Sequence, residues 1–221
     1  MLVSEAMRAR YSVRGYLPEP VPEETIREVF DIARWAPSGT NTQAWHVAVL
    51  SGEPRDELES LMTTAFDDGA ESQRDFPIVA NEVEGVYLDR RRHCGFTYYE
   101  TMGVGRKDYE GRARIARKNF EFFGAPHVAF FSMPNHMGHS KALDLGLFVQ
   151  SVMLLLTERG IGCIPQGALA QYCDIVRKVA PIPEGNGIVC GLSFGWVDED
   201  AHINTVRMPR EPLDVVATFV S

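Results

Sequence analysis

Ala36-Pro37-Ser38-Gly39-Thr40-Asn41-Thr42-Gln43-Ala44-Trp45-His46-Val47-Ala48-Val49-Leu50 holds a helix end, a turn and a strand in fifteen residues. Pro37 closes a helix whose core stripe is Ile26, Val29, Phe30 and Ala33, spaced as an amphipathic helix requires. Pro22, Glu23 and Glu24 open that helix, with proline in the first turn and acids at its positive end. Ser38 to Gln43 are small or polar and hand over directly to the apolar run from Trp45 to Leu50, which reads as a strand.

Upstream of this hinge, residues 4–10 suggest a short helix leading into an extended polar segment. Downstream, 54–68 reads as a helix and 71–81 as a loop. Residues 82–123 are helical again, interrupted at Gly103-Val104-Gly105 and rich in aromatics and arginines, which marks an excursion from the main domain. His127 to Met133 suits a buried strand. The run from Ala142 to Leu156 is apolar almost all round, but it is shorter than the ~20 residues a bilayer span needs and contains Asp144 and Gln150, so it reads as a buried central helix. Ile161 to Gly167 reads as an irregular turn, 172–179 as a small helix, Ile188 to Phe194 as a buried strand and Val215 to Val220 as strand-like. Strands and helices mix without regular βαβ units, so the expected class is α+β in a single domain over 1–221, with the excursion at about 82–123 and a tail at about 201–221.

The chain has 221 residues, 45% of them hydrophobic and 24% charged, as a globular protein has. A net charge of -8 argues against general nucleic-acid binding, so any anion site must be local. The opening Met1-Leu2-Val3-Ser4-Glu5-Ala6 lacks the basic flank and apolar core of a signal peptide, and residence in the cytoplasm away from membranes is expected. Cys94, Cys163, Cys173 and Cys190 form no CxxC and read as free buried thiols. His136 and His139 lack the spacing of a metalloprotease helix, so no metal is expected.

Four segments carry groups suited to chemistry. In Arg10-Tyr11-Ser12-Val13-Arg14 an extended backbone would point Arg10, Ser12 and Arg14 to one face, where two guanidiniums and a hydroxyl suit an anion; a solvated basic edge is the competing reading. The turn around Ser38, Asn41 and Gln43 offers carboxamides and backbone groups able to read the edge of a heterocycle, or is an ordinary connection. Pro165-Gln166-Gly167 allows close backbone approach. Arg207 and Arg210 stand three apart in a tail whose packing needs no charge, and arginine is the usual bidentate holder of phosphate.

Taken in order, these segments resemble the nitroreductase family. R-x-S-x-R is matched by Arg10, Ser12 and Arg14; A-P-S-x-x-N-x-Q-P-W by Ala36, Pro37, Ser38, Asn41, Gln43 and Trp45; the arginines before a Pro-Leu pair by Arg207 and Arg210. Ala44 replaces the family's usual proline. Asn119 to Pro126 and Cys163 to Gln166 look like the nitrobenzoate-type branch.

The resemblance implies a nitroreductase-like fold: a mostly antiparallel central sheet flanked by helices, with a C-terminal strand exchanged in a homodimer. It further implies bound FMN, NADH or NADPH as donor, a small aromatic or quinone-like acceptor, and ping-pong transfer. Arg10, Ser12, the tail arginines and the backbone of Tyr11 would hold the FMN phosphate, and Arg14 the pyrimidine edge. Pro37, Ser38, Gly39 and Asn41 would reach in from the partner, Gln43 would position that loop, and Pro165, Gln166 and Gly167 would back the flavin. Phe96, Tyr98, Tyr99, Phe120 and Phe123 are the expected acceptor pocket, with core packing as the alternative for each. No catalytic side chain is expected, because the cofactor carries the chemistry. A more specialised flavoenzyme of the same fold, such as a reductive dehalogenase, a flavin-fragmenting enzyme or a dehydrogenase, and a non-catalytic flavin carrier are the competing functions.

Overall fold

Four strands, visited out of spatial order, make the sheet that positions everything else. The computed structural model describes residues 1–77 and 83–220. Residues 78–81 of the expected loop and Glu82, the expected start of the excursion, lie outside the described residues. In chain order the elements are α1 (Val3–Ala9), α2 (Glu23–Ala33), β1 (His46–Ser51), α3 (Glu53–Asp67), α4 (Gly85–Thr101), α5 (Tyr109–Arg117), β2 (His127–Pro134), α6 (His139–Glu158), β3 (Ile161–Gln166), α7 (Cys173–Val179), β4 (Asn186–Trp196) and α8 (Leu213–Val216). The sheet order is β1-β2-β4-β3, and every pairing is antiparallel. This is the α+β architecture with an antiparallel central sheet that the sequence implied.

The centre of the sheet is covered on both faces, so β2 is buried along almost its whole length and cannot alternate polar with apolar residues. Ala129 and Phe131 join the cluster built by Val29, Phe148, Val152 and Leu156, which seats α2 and α6. Their neighbours Val128 and Phe130 point the other way, into a cluster with Leu58, Met62, Phe120 and Tyr172 beneath α3 and α7.

Four expectations are corrected. Ile161–Gln166 is not an irregular turn but the edge strand β3, which disguises itself with Gly162 and Pro165. An edge strand tolerates proline because its outward backbone needs no ladder donor. Gly162 is required there, since a Cβ would meet Val197 at 2.7 Å and Val13 at 2.8 Å. The central helix α6 is buried on one side only: Leu145, Phe148, Val152 and Leu156 face the core, while Leu143 and Leu147 are exposed. Among the described residues nothing covers that second apolar face. Val215 and Val216 form a helical turn instead of a strand, and residues 217–220 join no ladder in this chain, leaving Phe219 and Val220 exposed. Of the four cysteines, Cys94 is exposed rather than buried.

Candidate functional site

The extended segment after α1 bridges Ser12 to Cys163 in parallel, with the Val13 N–H donating to the Cys163 carbonyl at 3.2 Å. The segment therefore runs beside β3 toward Pro165. The tail returns from the opposite end of the chain to meet it, and Asn204 is the joint. Its carboxamide oxygen accepts from the Arg14 backbone N–H at 2.8 Å, while its NH2 donates to Gly15 O at 2.8 Å and Asp198 O at 2.9 Å. A Cβ on Gly15 would collide with Ala201 at 2.4 Å, so only glycine allows this closeness.

Between these strands of chain and α4 lies a cavity of about 660 Å³ lined by Arg8, Arg10, Ser12, Arg14, Arg207 and Arg210, with Tyr11, Tyr98 and Cys94 among the remaining walls. Five arginines and no carboxylate line it, in a chain of net charge -8. Among the described residues none of the five has an acidic partner. The guanidiniums of Arg14, Arg207 and Arg210 are held by carbonyls and rings instead. Arg14 donates to Ser12 O at 3.2 Å and lies 4.6 Å over the Tyr98 ring. Arg207 lies 3.3 Å over the Tyr11 ring and donates to Asn204 O. Arg210 donates to Met208 O, and the Arg90–Glu211 pair ties the tail to α4. Carbonyl dipoles orient the cations without neutralising them, which leaves a positive, partly enclosed site suited to phosphate. Burial pushes the Cys163 thiol beside this segment up to about 12, against the weaker pull of Arg10, so it is no thiolate nucleophile. Tyr98 is likewise shifted up by burial, against Arg14, and remains a phenol.

The loop of Pro37, Ser38, Gly39, Asn41 and Gln43 is not a wall of this cavity. It sits over the start of α6, where Gly39 N–H donates at 3.1 Å to each carboxylate oxygen of Asp144 and Lys141 Nζ donates to Gly39 O, Thr42 Oγ1 and Asp144. Burial opposes the charge on Asp144, but the Gly39 and Lys141 contacts outweigh it and hold the carboxyl below its usual range. Thr40, Asn41 and Gln43 all adopt left-handed backbone conformations, with φ of 52°, 56° and 46°. Three such residues together are strained. The turn persists because Ser38 Oγ accepts the Gln43 N–H at 3.0 Å and the Gln43 side chain donates to Asn41 O. Trp45 anchors its exit by stacking on Phe148, rings 5.0 Å apart and 4° from parallel.

At the end of β3, Pro165 and Gly167 are exposed, whereas Gln166 is 3% exposed and spends its side chain internally, donating to Asn119 and accepting from Ser193 Oγ at 2.5 Å. Arg74 reaches Gly167 O at 2.8 Å.

The aromatic set divides. Tyr98 lines the arginine cavity, and Phe123, nearly buried with φ 55°, lies under Arg14 at 5.8 Å. Phe96 and Tyr99 line a separate cavity between α4 and α5. Phe120 packs between Phe66 and Tyr172, with centroids at 5.1 and 5.2 Å, and Phe122 is fully buried; both serve the core. Sequence reasoning missed Asn204, Tyr98 as a partner of Arg14 specifically, and Asp144 as the anchor of the loop. Only Asp144 carried a signal, as an acid in an otherwise apolar helix.

Residues 7–196 match the model described as the Nitroreductase family. The chain is 37% identical over 204 residues to a 4-nitrobenzoate reductase of Pseudomonas putida, covering 92% of this chain and 88% of that one. It is 38% identical over 213 residues to the nitroreductase NfnB of Mycolicibacterium smegmatis, covering 96% and 90%. The crystal structure of the FMN-dependent NfnB from Mycobacterium smegmatis in complex with NADPH superposes with a TM-score of 0.95 at 37% identity, covering 99% of this chain and 98% of that one.

Proposed function

This chain belongs to the nitroreductase family, and from that premise we propose that it is an FMN-dependent oxidoreductase that passes electrons from NAD(P)H to nitroaromatic or quinone-like acceptors as a homodimer. One observation carries the proposal: the acid-free cavity of five arginines, assembled from the segment after α1 and from the tail. Arg10, Ser12, Arg207 and Arg210 are the groups that would hold a flavin phosphate, with the Tyr11 backbone beside them. FMN is the flavin this set fits, since it ends in one exposed phosphate.

Bound FMN supplies the two-electron chemistry, and the chain supplies electrostatics and position. Arg14 is fixed at its backbone by Asn204, at its guanidinium by Ser12 O and beneath by Tyr98. A cation held this rigidly favours a bound group that gains negative charge, without having to reorganise as the charge appears. Pro165, Gln166 and Gly167 line the neighbouring strand end, where the internal bonds of Gln166 hold the backbone for close approach. No side chain here is a general acid or nucleophile, and none is needed. The described residues hold no separate Rossmann fingerprint, so donor and acceptor take turns at one place, in ping-pong order.

Three surfaces of the single chain need a second copy. The loop from Pro37 to Gln43 is built as a rigid recognition turn, yet it stands outside the arginine cavity of its own chain. Leu143 and Leu147 on α6 are exposed, and Leu213, Val215, Val216, Phe219 and Val220 of the tail have no cover. The strand β1 lies at the sheet edge beside an apolar groove of about 1120 Å³ walled by Val21, Ile26, Phe30, Val47 and Val49. A partner's tail would fill that groove while the partner's Pro37–Gln43 loop completes the flavin site.

The test is the purified protein itself. It should be yellow, release FMN at about one per chain as a symmetric dimer implies, bleach with NADPH or NADH, and consume donor when a nitroarene is added. Tightly bound FAD, or a colourless protein that takes up no flavin, overturns the reading. Flavin that binds but is never reduced by either donor makes the protein a carrier.

A further inference from the structure

The cavity between α4 and α5 has no part in that mechanism. It measures about 430 Å³ and is walled by Phe96, Tyr99, Glu100, Gly103, Arg106 and Arg112, with the intervening loop. Arg106 lies 4.4 Å over the Phe96 ring and Arg112 lies 4.7 Å over the Tyr99 ring. Neither guanidinium has a carboxylate partner among the described residues. Asp108, the nearby acid that caps α5, spends its side chain on the Gly111 N–H at 2.7 Å. Arg112 stands one turn inside that cap, and its guanidinium donates to Arg106 O at 3.4 Å. The turn at Gly103, φ +67°, brings Arg106 back over α4.

No residue lines both this cavity and the arginine cavity around Ser12. They adjoin only through neighbouring residues of α4, Tyr98 in one and Tyr99 in the other, with ring centroids 5.9 Å apart. A one-ring acceptor bound here would touch none of the residues that line the arginine cavity. A dinucleotide reaches further, because its reactive ring and its adenosine lie at opposite ends.

We propose that this cavity takes the adenosine 2′-phosphate end of the donor, and so makes the enzyme prefer NADPH to NADH. This rests on the NAD(P)H reading above. One aromatic-backed guanidinium stacks on adenine while the other forks onto the 2′-phosphate. The Glu100 carboxylate accepts from the exocyclic amine of adenine, which gives the one acid in the cavity a role an anion alone would not. The volume suits a nucleoside phosphate, lying within the range of small-ligand sites.

Calorimetric titration of the FMN-loaded protein with 2′,5′-ADP and with 5′-AMP tests the site apart from turnover. The 2′-phosphate should tighten binding about tenfold or more, and R106A/R112A should abolish that difference and also weaken 5′-AMP, whose adenine loses its stacked guanidinium. R106K/R112K, which keeps the charge but loses the fork, should retain part of it and shows that loss is not misfolding. In steady-state assays the double alanine variant should raise KM for NADPH more than KM for NADH and bring the two donors to equal kcat/KM. Equal affinity of the unmodified protein for both probes overturns the proposal, as does a donor preference that survives R106A/R112A. Displacement of 2′,5′-ADP by 4-nitrobenzoate that disappears in the same variant also overturns it, in favour of an aromatic carboxylate. A protein that oxidises both donors equally defeats only this inference; one that oxidises neither defeats the proposed function, while the probe titration still reports on the arginines.

Discussion

Two cavities on either side of α4 use the same pairing, a guanidinium laid on an aromatic ring, but they are assembled in opposite ways. The cavity around Ser12 joins Arg14 to Asn204 across 190 residues of chain, and carbonyls hold Arg14 and Arg207 in place. The cavity beneath Arg106 and Arg112 is built entirely from residues 96–112. The first therefore depends on the whole fold being correct, whereas the second can change shape within one local excursion without disturbing the sheet. A cofactor site needs the first kind of construction and a specificity site benefits from the second.

Deleting residues 205–221 is the strongest test of that contrast, because it removes Arg207, Arg210 and the uncovered apolar tail while sparing both cavity-forming helices. Flavin content and dimerisation should be lost together, read by flavin absorbance and light scattering. A truncated chain that stays dimeric and loaded would reduce the tail to packing and leave Arg10 and Ser12 as the phosphate site.

Within the excursion, the aromatic rings should separate by an order of magnitude in stability. Phe120→Ala empties a buried site between Phe66 and Tyr172 and should cost about 3–5 kcal/mol in denaturant unfolding, with flavin per folded chain unchanged. Phe96→Ala, at a ring 37% exposed, should stay within about 0.5 kcal/mol. Similar costs for both would mean that the excursion is one packed unit and not a local module.

His127 lies outside both cavities and gives the acid response of the sheet itself. It is 2% exposed, accepts the Val21 N–H at its Nε2 and bonds Ser51 Oγ through Nδ1; burial, with a smaller push from Arg55, lowers its pKa to about 4. A lowered value means the unfolded chain takes up the proton first as pH falls. The contribution is therefore intact above about pH 6.5 and lost progressively down to about pH 4, by at most about 3 kcal/mol. In His127→Gln, stability should fall less steeply over that window. If the slope is unchanged, acid sensitivity originates elsewhere, and flavin release at low pH would then implicate the cavities.

Arg14→Ala should have the most specific effect. The flavin midpoint potential should drop by something on the order of 30–60 mV, which for a two-electron couple is about 1.4–3 kcal/mol. Oxidised FMN should bind nearly as before. An unchanged potential at full FMN content removes Arg14 from the pyrimidine edge and weakens the claim that the first cavity is electrostatically tuned.

The polar constellations were legible because Arg10, Ser12, Arg14, Arg207 and Arg210 are costly to place anywhere without a reason, and their extended or aperiodic settings excluded helix packing as that reason. The aromatic residues were not legible, since Phe120 and Phe96 look alike in sequence and differ only in what surrounds them. The strand β3 escaped notice because Gly162 and Pro165 serve an edge and a close approach, both invisible to periodicity. The exposed face of α6 was missed for a related reason: an apolar surface reads as buried whether its cover comes from the same chain or from another.

The Asn204 joint also sets a clock. A ribosome adds roughly 5–20 residues per second, so on the order of 10–40 s separate the synthesis of Arg14 from that of the asparagine that pins it. During that interval β1 and β2 can already pair, but Arg14 waits without its anchor and the cavity has no floor. If the proposed site holds the flavin, its capture is a late event in the life of each molecule, and nascent chains stalled before Asn204 would carry much of the sheet yet compete for no cofactor.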